Sequence, residues 1–402
     1  MSTYEVHSGV DFRKRGNAST LDQVIAAFDK WLVLRDHTPL YAALGTVAAN
    51  LLPGDPVWLG IIGPPSSAKT EIINALSGLP YVERVATLTP AALLSGTPKR
   101  QRDKAARGGL LNKIGEFGIF CLKDFGSVLS MRPEAKAETL AALRELFDGS
   151  WTRHLGTDGG RTLSWSGKLG LVFGTTEAYD DHYAVIGSLG DRFLLSRITS
   201  SYGGQLRKAL DHTGRANKIM RDDLADVVAR LFVNELHEPL PLSETEFQRL
   251  DKVVSLAVRL RAYVNRDRYS REIESIHGAE GPGRLGLSLE RLFAGLNAIG
   301  LPRDKALWVV EDIALASTPP IRRHAFELLS KTPTKTRDIA KALKLPTTTA
   351  RRALEELTAH GLAVRTRDKT DNGEEKKGGA DLWHLDPEWT EWRTMWDATA
   401  TP

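Results

Sequence analysis

Apolar residues in the first half of the chain form short continuous runs that predict the strands of a parallel sheet. The runs at 57–62, 118–122 and 169–173 have strand length, and the segments between them place apolar residues at helical spacing. A parallel strand is covered by helices on both faces, so it is apolar throughout rather than alternating. Helices at 21–34 and 39–52 are predicted to precede the first strand. The pattern predicts an α/β fold with its sheet sandwiched by helices.

The second half of the chain loses this strand pattern. Amphipathic helices are predicted over 205–318, with a glycine-rich interruption at 278–286, and three helices followed by two short strands over 319–386. The predicted organisation is an N-terminal helical segment at 1–52, an α/β core at 53–204, a helical lid at 205–318, a compact module at 319–386 and a tail at 387–402.

Composition places the chain among ordinary globular proteins. Of its 402 residues, 42% are apolar and 26% are charged, and the length exceeds that of one average domain. Cys121 is the only cysteine, which excludes an intrachain disulfide and argues against a cysteine-based zinc site. The chain shows neither the apolar segment of a signal peptide nor a run of roughly 20 apolar residues, so we expect a soluble, cytoplasmic protein without a membrane partner.

The net charge of +4 is unevenly distributed along the chain. Residues 321–380 contain 14 Lys and Arg against 8 Asp and Glu, which leaves a net charge of −2 on the remainder. A basic module on a near-neutral body predicts a polyanionic partner at that module. The alternative interpretation is a solvated basic face without a partner.

The clearest chemistry lies in the segment that follows the first strand. It consists of Gly63, Pro64, Pro65, Ser66, Ser67, Ala68, Lys69 and Thr70. A glycine-led loop ending in Lys-Thr, between a strand and a helix, binds a nucleoside triphosphate. Its backbone N–H groups cradle the phosphates, the lysine neutralises the β and γ oxygens, and the threonine hydroxyl reaches Mg²⁺. ATP and Mg²⁺ are therefore the predicted ligands, although Ala68 stands where the usual pattern has a second glycine.

Two later strands end in polar residues that can complete this site. The strand at 118–122 ends in Lys123-Asp124, and we expect Asp124 to lie on the strand next to the phosphate loop and to bind Mg²⁺. Most such ATPases have two acids here, so the single acid leaves hydrolysis open; Asp124 can alternatively cap the following turn. Thr176, after the strand at 169–173, can contact the γ-phosphate or the attacking water, or cap a helix. Arg192 can stabilise the transition state in a neighbouring subunit, or be merely solvated.

These pieces, in this order and spacing, resemble the AAA+ ATPases, and within them the minichromosome-maintenance helicases and related helicases of phages and mobile elements. The resemblance rests on Ala68 before Lys69, on the segments 88–91 and 108–122, and on Leu-Gly-Asp-Arg-Phe at 189–193. It implies that Lys69 and Thr70 hold phosphate and Mg²⁺, that Asp124 matches the acidic motif and Thr176 the sensor position, and that Arg192 is the arginine finger, which acts across the subunits of a ring, commonly a hexamer. Arg284 or Arg291 would match the sensor arginine of the lid. Lys-Asp-Phe at 123–125 favours the phage branch.

A hairpin is predicted between the strands at 118–122 and 169–173, because alternating residues flank Asp158-Gly159-Gly160. In proteins similar to the minichromosome-maintenance helicases, a hairpin at this position projects into the ring and contacts DNA. The matching candidates are Arg153, His154 and Arg161. The alternative is a sheet edge whose arginines prevent edge-to-edge pairing.

The C-terminal module resembles the winged-helix-turn-helix family, with three helices followed by two paired strands. The resemblance implies that the third helix enters the major groove of DNA and that the tip of the wing contacts phosphate. The matching residues are Thr347, Thr348, Thr349, Arg351 and Arg352 on the helix, and Lys369, Lys376 and Lys377 at the tip. Winged helices also dock proteins, which is the alternative.

The sequence thus predicts an ATP-hydrolysing AAA+ motor that acts on DNA, either a replicative helicase or an initiator of phage or mobile-element type. One alternative is an ATP-sensing winged-helix regulator that binds DNA and hydrolyses little ATP, which the single acid at position 124 favours. A loader or helper ATPase that acts on another protein is the third hypothesis.

Overall fold

The structure is a computed structural model, and it describes residues 18–95, 109–155, 161–183, 192–199, 205–211, 214–233, 235–367 and 379–390. The chain divides into two compact units. The first contains residues 1–243 and 287–313, and the second contains residues 244–286 and 314–402. No helix in the described ranges is both long enough and apolar enough to cross a membrane.

A parallel sheet forms the centre of the first unit. Its strands are β1 (Trp58–Ile62), β2 (Val82–Val85), β3 (Phe117–Leu122), β6 (Lys168–Thr175) and β7 (Phe193–Arg197). Within the described residues their order is β2-β3-β6-β1-β7, and every neighbouring pair is parallel. The predicted parallel sheet is therefore confirmed. One detail of the prediction is wrong: β3, the strand that precedes Asp124, is not adjacent to β1, because β6 lies between them.

Helices cover this sheet, so the first unit has an α/β fold of P-loop type. Their bounds are α1 (Leu21–Trp31), α2 (Thr38–Leu51), α3 (Lys69–Ala75), α4 (Pro90–Leu93), α5 (Leu110–Ile114), α6 (Gly126–Leu129), α7 (Pro133–Phe147), α8 (Gln205–Asp211) and α9 (Arg215–Leu231), with 3₁₀ helices at Leu76–Gly78 and Glu177–His182. Helix α2 is buried along almost its whole length and packs on the sheet. Helix α1 begins with a capping box between Thr20 and Gln23, which satisfies donors of its first turn.

The core that packs against the parallel sheet contains a cluster of aromatic rings. Phe125 stacks on Phe173 with ring centroids 4.4 Å apart, and Phe193 meets the Phe173 ring edge-on at 5.1 Å. The indole of Trp58 is 1% exposed and donates to the carbonyl of Leu169 at 2.6 Å, so its polar atom is satisfied. Phe173 belongs to β6, Trp58 and Phe193 begin β1 and β7, and Phe125 follows β3, so the packing of these rings connects four strands of the sheet.

The predicted hairpin is present as β4 (Ser150–Leu155) and β5 (Arg161–Ser166), which pair in antiparallel register. Trp151 lies opposite Trp165, and Leu155 lies opposite Arg161. Within the described residues it forms a separate two-stranded sheet rather than an edge of the parallel one. The predicted turn at 158–160 lies outside the described residues.

The second unit contains the three helices and paired strands predicted for the C-terminal module. Its elements are α10 (Glu244–Arg261), β8 (Val264–Arg266), β9 (Ile273–Ile276), α13 (Pro320–Leu328), β10 (Thr334–Lys335), α14 (Thr336–Leu343), α15 (Thr347–Ala359), β11 (Ala363–Arg367) and β12 (Asp381–Leu385). The short strand β10 completes an antiparallel sheet of order β10-β12-β11. Lys344 takes a left-handed φ of 56° in the turn before α15, and Gly361 takes φ 68° after it.

The observed division differs from the predicted lid at 205–318. Helix α11 (Gly283–Ala298) and helix α12 (Arg303–Ala316) each begin in one unit and end in the other, and residues 244–286 belong with the C-terminal module. The β8–β9 hairpin within this region was predicted as helix. Strands of three and four residues give too few positions for a period of two to be recognised.

Candidate nucleotide-binding site

The phosphate loop follows β1 at the carboxyl edge of the parallel sheet, where open α/β sheets bind their ligands. The N–H of Gly63 donates to the carbonyl of Thr175 at 3.2 Å, which ties the start of the loop to the end of β6. A Cβ at Gly63 would lie 2.9 Å from the carbonyl oxygen of Ile198, so this position requires glycine. The loop is therefore enclosed by the ends of both strands that flank β1.

Two non-glycine residues of the loop have left-handed backbone conformations. Ser66 has φ 63° and Ala68 has φ 67°. Such a conformation costs an L-residue about 1–2 kcal/mol, and strain of this kind concentrates at functional sites. Ala68 thus adopts the left-handed conformation for which the usual pattern supplies a glycine, although the residue at this position is alanine.

The ammonium of Lys69 lies inside the loop. Its Nζ donates to the carbonyl oxygens of Gly63 and Pro64 at 2.6 Å each, and to the hydroxyl of Ser67 at 3.1 Å. The residue is 9% exposed, and burial lowers the pKa of its ammonium, while the charges of Asp124 and Glu177 act to raise it. Lys69 is therefore a buried cation with two carboxylates in its field.

Asp124 follows β3 at the same edge and is exposed. Its Oδ1 accepts the backbone N–H of Gly126 at 2.8 Å, so the turn-capping interpretation is realised in the geometry. One carboxylate oxygen can cap the turn while the other faces solvent, so capping does not prevent metal binding. Thr70, the first residue after the lysine, is also exposed.

Thr176 and Glu177 follow β6, the strand that lies between those of the loop and of Asp124. Both are exposed. Thr176 occupies the N-cap position of the 3₁₀ helix, but its side chain makes no capping hydrogen bond. Glu177 was not recognised in the sequence. It lies two residues beyond Thr175, which pairs with Ile62 at the start of the loop, so it supplies a second carboxylate beside Lys69.

These groups match the donors that a Mg²⁺–nucleoside triphosphate requires. A buried ammonium suits the β and γ oxygens, and an exposed hydroxyl with one or two carboxylates suits Mg²⁺, which keeps much of its water. The described ranges hold no group of three or more His, Cys, Asp or Glu that would form an all-protein metal cage. The donor set therefore fits Mg²⁺ shared with phosphate rather than a dedicated metal site.

Two arginines near the loop were also missed in the sequence. Arg221 of α9 forms a bidentate ion pair with Glu71, the residue after Thr70, at 2.7 and 2.9 Å, and this pairing raises the pKa of Arg221. Arg197 ends β7, pairs in register with Ile62, and binds the carboxylate of Asp180 at 2.7 and 2.9 Å. Arg197 could have been recognised in the sequence, because it is the polar residue that ends an apolar strand. Arg221 had no comparable signal.

The candidate arginines Arg192 and Arg291 lie at the amino edge of the sheet, opposite their own loop. Arg192 precedes β7, and its guanidinium contacts both carboxylate oxygens of Asp148 at 2.9 and 3.1 Å with 9% of the side chain exposed. Arg291 donates to the carbonyls of Ala49, Leu52 and Pro53, at the end of α2. Arg291 therefore does not fit the sensor role. Arg284 is exposed and stays a prediction.

The hairpin candidates for DNA contact divide between two faces. Arg153 is half-buried, and its Nη1 donates to the carbonyl of Leu94 at 2.6 Å, so it braces the hairpin against the core. His154 is exposed and contacts the hydroxyl of Thr162 at 3.0 Å. The side chain of Arg161 lies outside the described part of the chain. Arg153 therefore fits a bracing role better than a DNA-contacting tip.

The third helix of the C-terminal module presents its predicted residues to solvent. Thr348, Arg351 and Arg352 are exposed at the N-terminal half of α15, while Ala350 and Leu354 are buried beneath them. This arrangement leaves the polar face available to a partner. The predicted phosphate contacts Lys369, Lys376 and Lys377 lie outside the described residues.

Comparisons with known proteins find remote structural similarity only. No known protein family and no curated protein matches the sequence. The apo A form of the NrS-1 C-terminal region has a TM-score of 0.34 and 10% identity over 94% of this chain and 78% of that chain. The active helicase Cch of SCCmec type IV has a TM-score of 0.33 and 11% identity over 94% of this chain and 72% of that chain. Scores this low carry no weight for function.

Proposed function

We propose that the chain is a Mg²⁺-dependent ATPase of AAA+ type that acts on DNA, as a helicase or initiator of phage or mobile-element type. The observation that carries the proposal is the buried ammonium of Lys69. It lies in a strained phosphate loop, with carboxylates from the ends of β3 and β6 in its field. A buried cation beside exposed acids matches the charge pattern of a Mg²⁺–triphosphate.

Each residue of the site has a distinct role in this proposal. Lys69 leaves the loop carbonyls and neutralises the β and γ oxygens of ATP, and Thr70 and Asp124 hold Mg²⁺ with its water. Mg²⁺, when bound, withdraws charge from the phosphate oxygens. Glu177 orients the attacking water and accepts its proton as the water oxygen bonds to the γ-phosphorus and the bond to ADP breaks. Thr176 hydrogen-bonds the γ-phosphate or this water.

Glu177 is the second acid in this proposal, which Asp124 alone does not supply for hydrolysis. Phosphate-loop ATPases need one group for the metal and another for the water. In this sheet order the strand beside the loop is β6, so a residue after β6 is as well placed as one after β3. We therefore assign the metal to Asp124 and the water to Glu177.

DNA binding is assigned to the C-terminal module as a winged helix. Its three helices, its antiparallel sheet and the exposed residues of α15 support this assignment. Arg192 lies at the amino edge of the sheet, away from its own loop, and the proposal assigns it to the nucleotide of a neighbouring subunit in a ring. Release of Arg192 from Asp148 would be part of ring assembly.

The experiment is ATP turnover by the purified chain with single-stranded DNA, double-stranded DNA or no DNA, with the oligomeric mass measured in the same buffer. We expect turnover that requires Mg²⁺ and is stimulated by DNA, from an oligomer. Absence of turnover above background with every DNA would exclude the motor.

One observation favours the alternative of an ATP-sensing DNA-binding regulator. The guanidinium of Arg192 forms an ion pair with Asp148 of its own chain, which suits a protein in which this arginine does not contact the nucleotide of a neighbouring subunit. A regulator would bind ATP and DNA without DNA-stimulated turnover. Arg192→Ala separates the two hypotheses: a ring loses DNA-stimulated turnover in this variant and still binds ATP, whereas a regulator shows no such turnover even in the wild type.

A further inference from the structure

The turn between β8 and β9, in the second unit, presents an aromatic side chain between two cations. Tyr269 is 96% exposed, the highest value among the large apolar or aromatic side chains of the described residues. Arg268 and Arg271, on either side, are exposed as well. The ring of Tyr269 is therefore accessible for stacking, and the cations next to it in sequence add positive charge to this part of the surface.

This turn is held in one conformation by Asp267. Its Oδ1 accepts the backbone N–H groups of Tyr269 and Ser270 at 2.9 and 2.7 Å, and these hydrogen bonds keep the pKa of Asp267 below its usual range. The N–H of Arg271 donates to the carbonyl of Asp267 at 3.1 Å, and Arg271 itself has a left-handed φ of 60°. The ring and the guanidinium are thus displayed on a defined turn.

One buried guanidinium fixes the turn against α15. The side chain of Arg266 is 11% exposed and pairs with the carboxylates of Glu355 and Glu356 on that helix. Its Nη1 also donates to the carbonyl of Arg271, and its Nη2 to the carbonyl of Arg352, each at 2.9 Å. The guanidinium of Arg266 therefore binds the backbone carbonyls of both Arg271 and Arg352.

Between the turn and the helix lies a groove of about 660 Å³. Its charged lining consists of Arg271, Arg351, Arg352, Arg365, Glu272 and Glu355. Arg351 pairs with Glu355, and Arg365 pairs with Asp381. The exposed side chains of Arg271 and Arg352 make no ion pair in the part of the chain that the structure describes. The excess of guanidinium over carboxylate suits a phosphate-bearing ligand.

We infer that the β8–β9 turn is a second nucleic-acid contact, in which Arg271 and Arg352 hold backbone phosphate and Tyr269 stacks on an unpaired base. The inference rests on the proposed DNA binding by α15. A side chain can stack on the face of a base only where the base is unpaired, as in single-stranded DNA. Helix α15, in contrast, is proposed to enter the major groove of a duplex. The combined surface therefore recognises a junction between duplex and single-stranded DNA.

The experiment measures binding of the full chain to a forked DNA and to a blunt duplex of the same length by fluorescence anisotropy. We expect Tyr269→Ala to weaken binding to the fork about tenfold, the effect of one lost base stack, and to leave the blunt duplex unaffected. Tyr269→Phe keeps the ring and should retain fork binding. Arg352→Ala should weaken binding to both DNAs, because its phosphate contact does not depend on unpaired bases.

The outcomes separate this inference from the proposed function. If the wild-type chain binds neither DNA, both fail. If Arg352→Ala weakens binding and Tyr269→Ala does not change fork binding, only the inference fails. Equal losses with Tyr269→Ala and Tyr269→Phe on the blunt duplex would indicate a hydroxyl–phosphate contact and overturn base stacking. A lower oligomeric mass for Tyr269→Ala, with unchanged fork binding, would place the ring at a subunit interface instead.

Discussion

Two lysines, the buried Lys69 and the half-buried Lys168, lie at opposite edges of the parallel sheet and resemble each other in their hydrogen bonds and in the direction of their pKa shifts. Lys69 at the carboxyl edge and Lys168 at the amino edge each donate to a backbone carbonyl at 2.6 Å, and burial lowers the pKa of both. Strand β6, which begins at Lys168, separates the two edges by about 23 Å. A lysine whose pKa is lowered by desolvation is therefore not by itself a functional signature.

The surroundings of the two lysines distinguish their roles. Lys69 has two carboxylates in its field and lies between strained loop residues. Lys168 has one carboxylate, that of Asp55, and the cation Arg291 in its field, and Lys168 and Arg291 both donate to the carbonyl of Leu52 at the end of α2. Cations at a helix C-terminus satisfy its last carbonyls. We therefore expect a structural role for Lys168, whereas under the proposed function Lys69 exchanges its carbonyl partners for phosphate.

The largest expected effect is the difference between replacing one lysine and the other. Lys69→Ala removes the cation that faces the β and γ phosphates, and ATP turnover should fall by about 10³-fold or more. Lys168→Met keeps the length of the side chain without its charge, and turnover should stay at the wild-type level. Steady-state phosphate release measures both. Equal losses in the two variants would mean that the edges do not differ in function.

The second effect concerns the acids at the carboxyl edge. Glu177→Gln keeps the shape of the side chain but removes the proton acceptor, so turnover should fall about 10²-fold while ATP binding is retained. Asp181→Asn is the matched control, because Asp181 is an exposed acid of the same 3₁₀ helix. Unchanged turnover in Glu177→Gln would return the water-activating role to another group.

The third effect is a pH dependence of stability that arises from Lys168 at the amino edge. Burial and the charge of Arg291 lower the pKa of Lys168 to about 7, against 10.5 for the ordinary side chain. Between these values the unfolded chain holds a proton that the folded chain has lost, so stability rises with pH, by up to about 1.4 kcal/mol per pH unit. Below pH 7 Lys168 is protonated in both the folded and the unfolded chain, so the full free-energy cost of burying its charge is present and stability no longer changes with the titration of this group.

Lys168→Met removes this titration. The difference in unfolding free energy between wild type and Lys168→Met, from urea melts at pH 7 to 10, isolates it, because all other groups are common to both proteins. We expect Lys168→Met to be the more stable protein at pH 7 and its advantage to shrink towards pH 10. A constant difference across this range would show that Lys168 is not desolvated in the folded chain.

The smallest effect concerns the strain in the phosphate loop. Ala68→Gly relieves a left-handed φ of 67° and should stabilise the chain by up to about 1 kcal/mol, partly offset by the greater freedom of glycine when unfolded. Ala141, exposed in α7, is the matched control: Ala141→Gly should destabilise by about 1 kcal/mol. Thermal melts of both variants check the sign. Destabilisation by Ala68→Gly would mean that the loop is not strained.

The two edges also differ in how far the sequence predicts them. The strands, the loop and Asp124 could be predicted because each depends on residues close in sequence. Glu177 and Arg221 could not be predicted, because their positions depend on β6 lying between β1 and β3 and on α9 packing against α3. The pairing of Arg192 with Asp148, across 44 positions of sequence, has no local signal.

The C-terminal module shows the same limit. The helices and paired strands of the module follow from apolar periodicity and from turn residues such as Gly361. The groove between α15 and the β8–β9 turn depends on Arg266 reaching Glu355 and Glu356, about 90 positions along the chain. Contacts of this kind decide which exposed residues share a surface, and periodicity does not report them.

The most direct test of the central claim is calorimetric titration of ATP with Mg²⁺ into wild type, Lys69→Ala and Lys168→Met. The account predicts one ATP bound per chain, binding that is lost or weakened at least about tenfold in Lys69→Ala, and unchanged binding in Lys168→Met. A wild-type chain that binds no ATP, or binding that Lys69→Ala leaves unchanged, would contradict the assignment of the carboxyl edge as the nucleotide site.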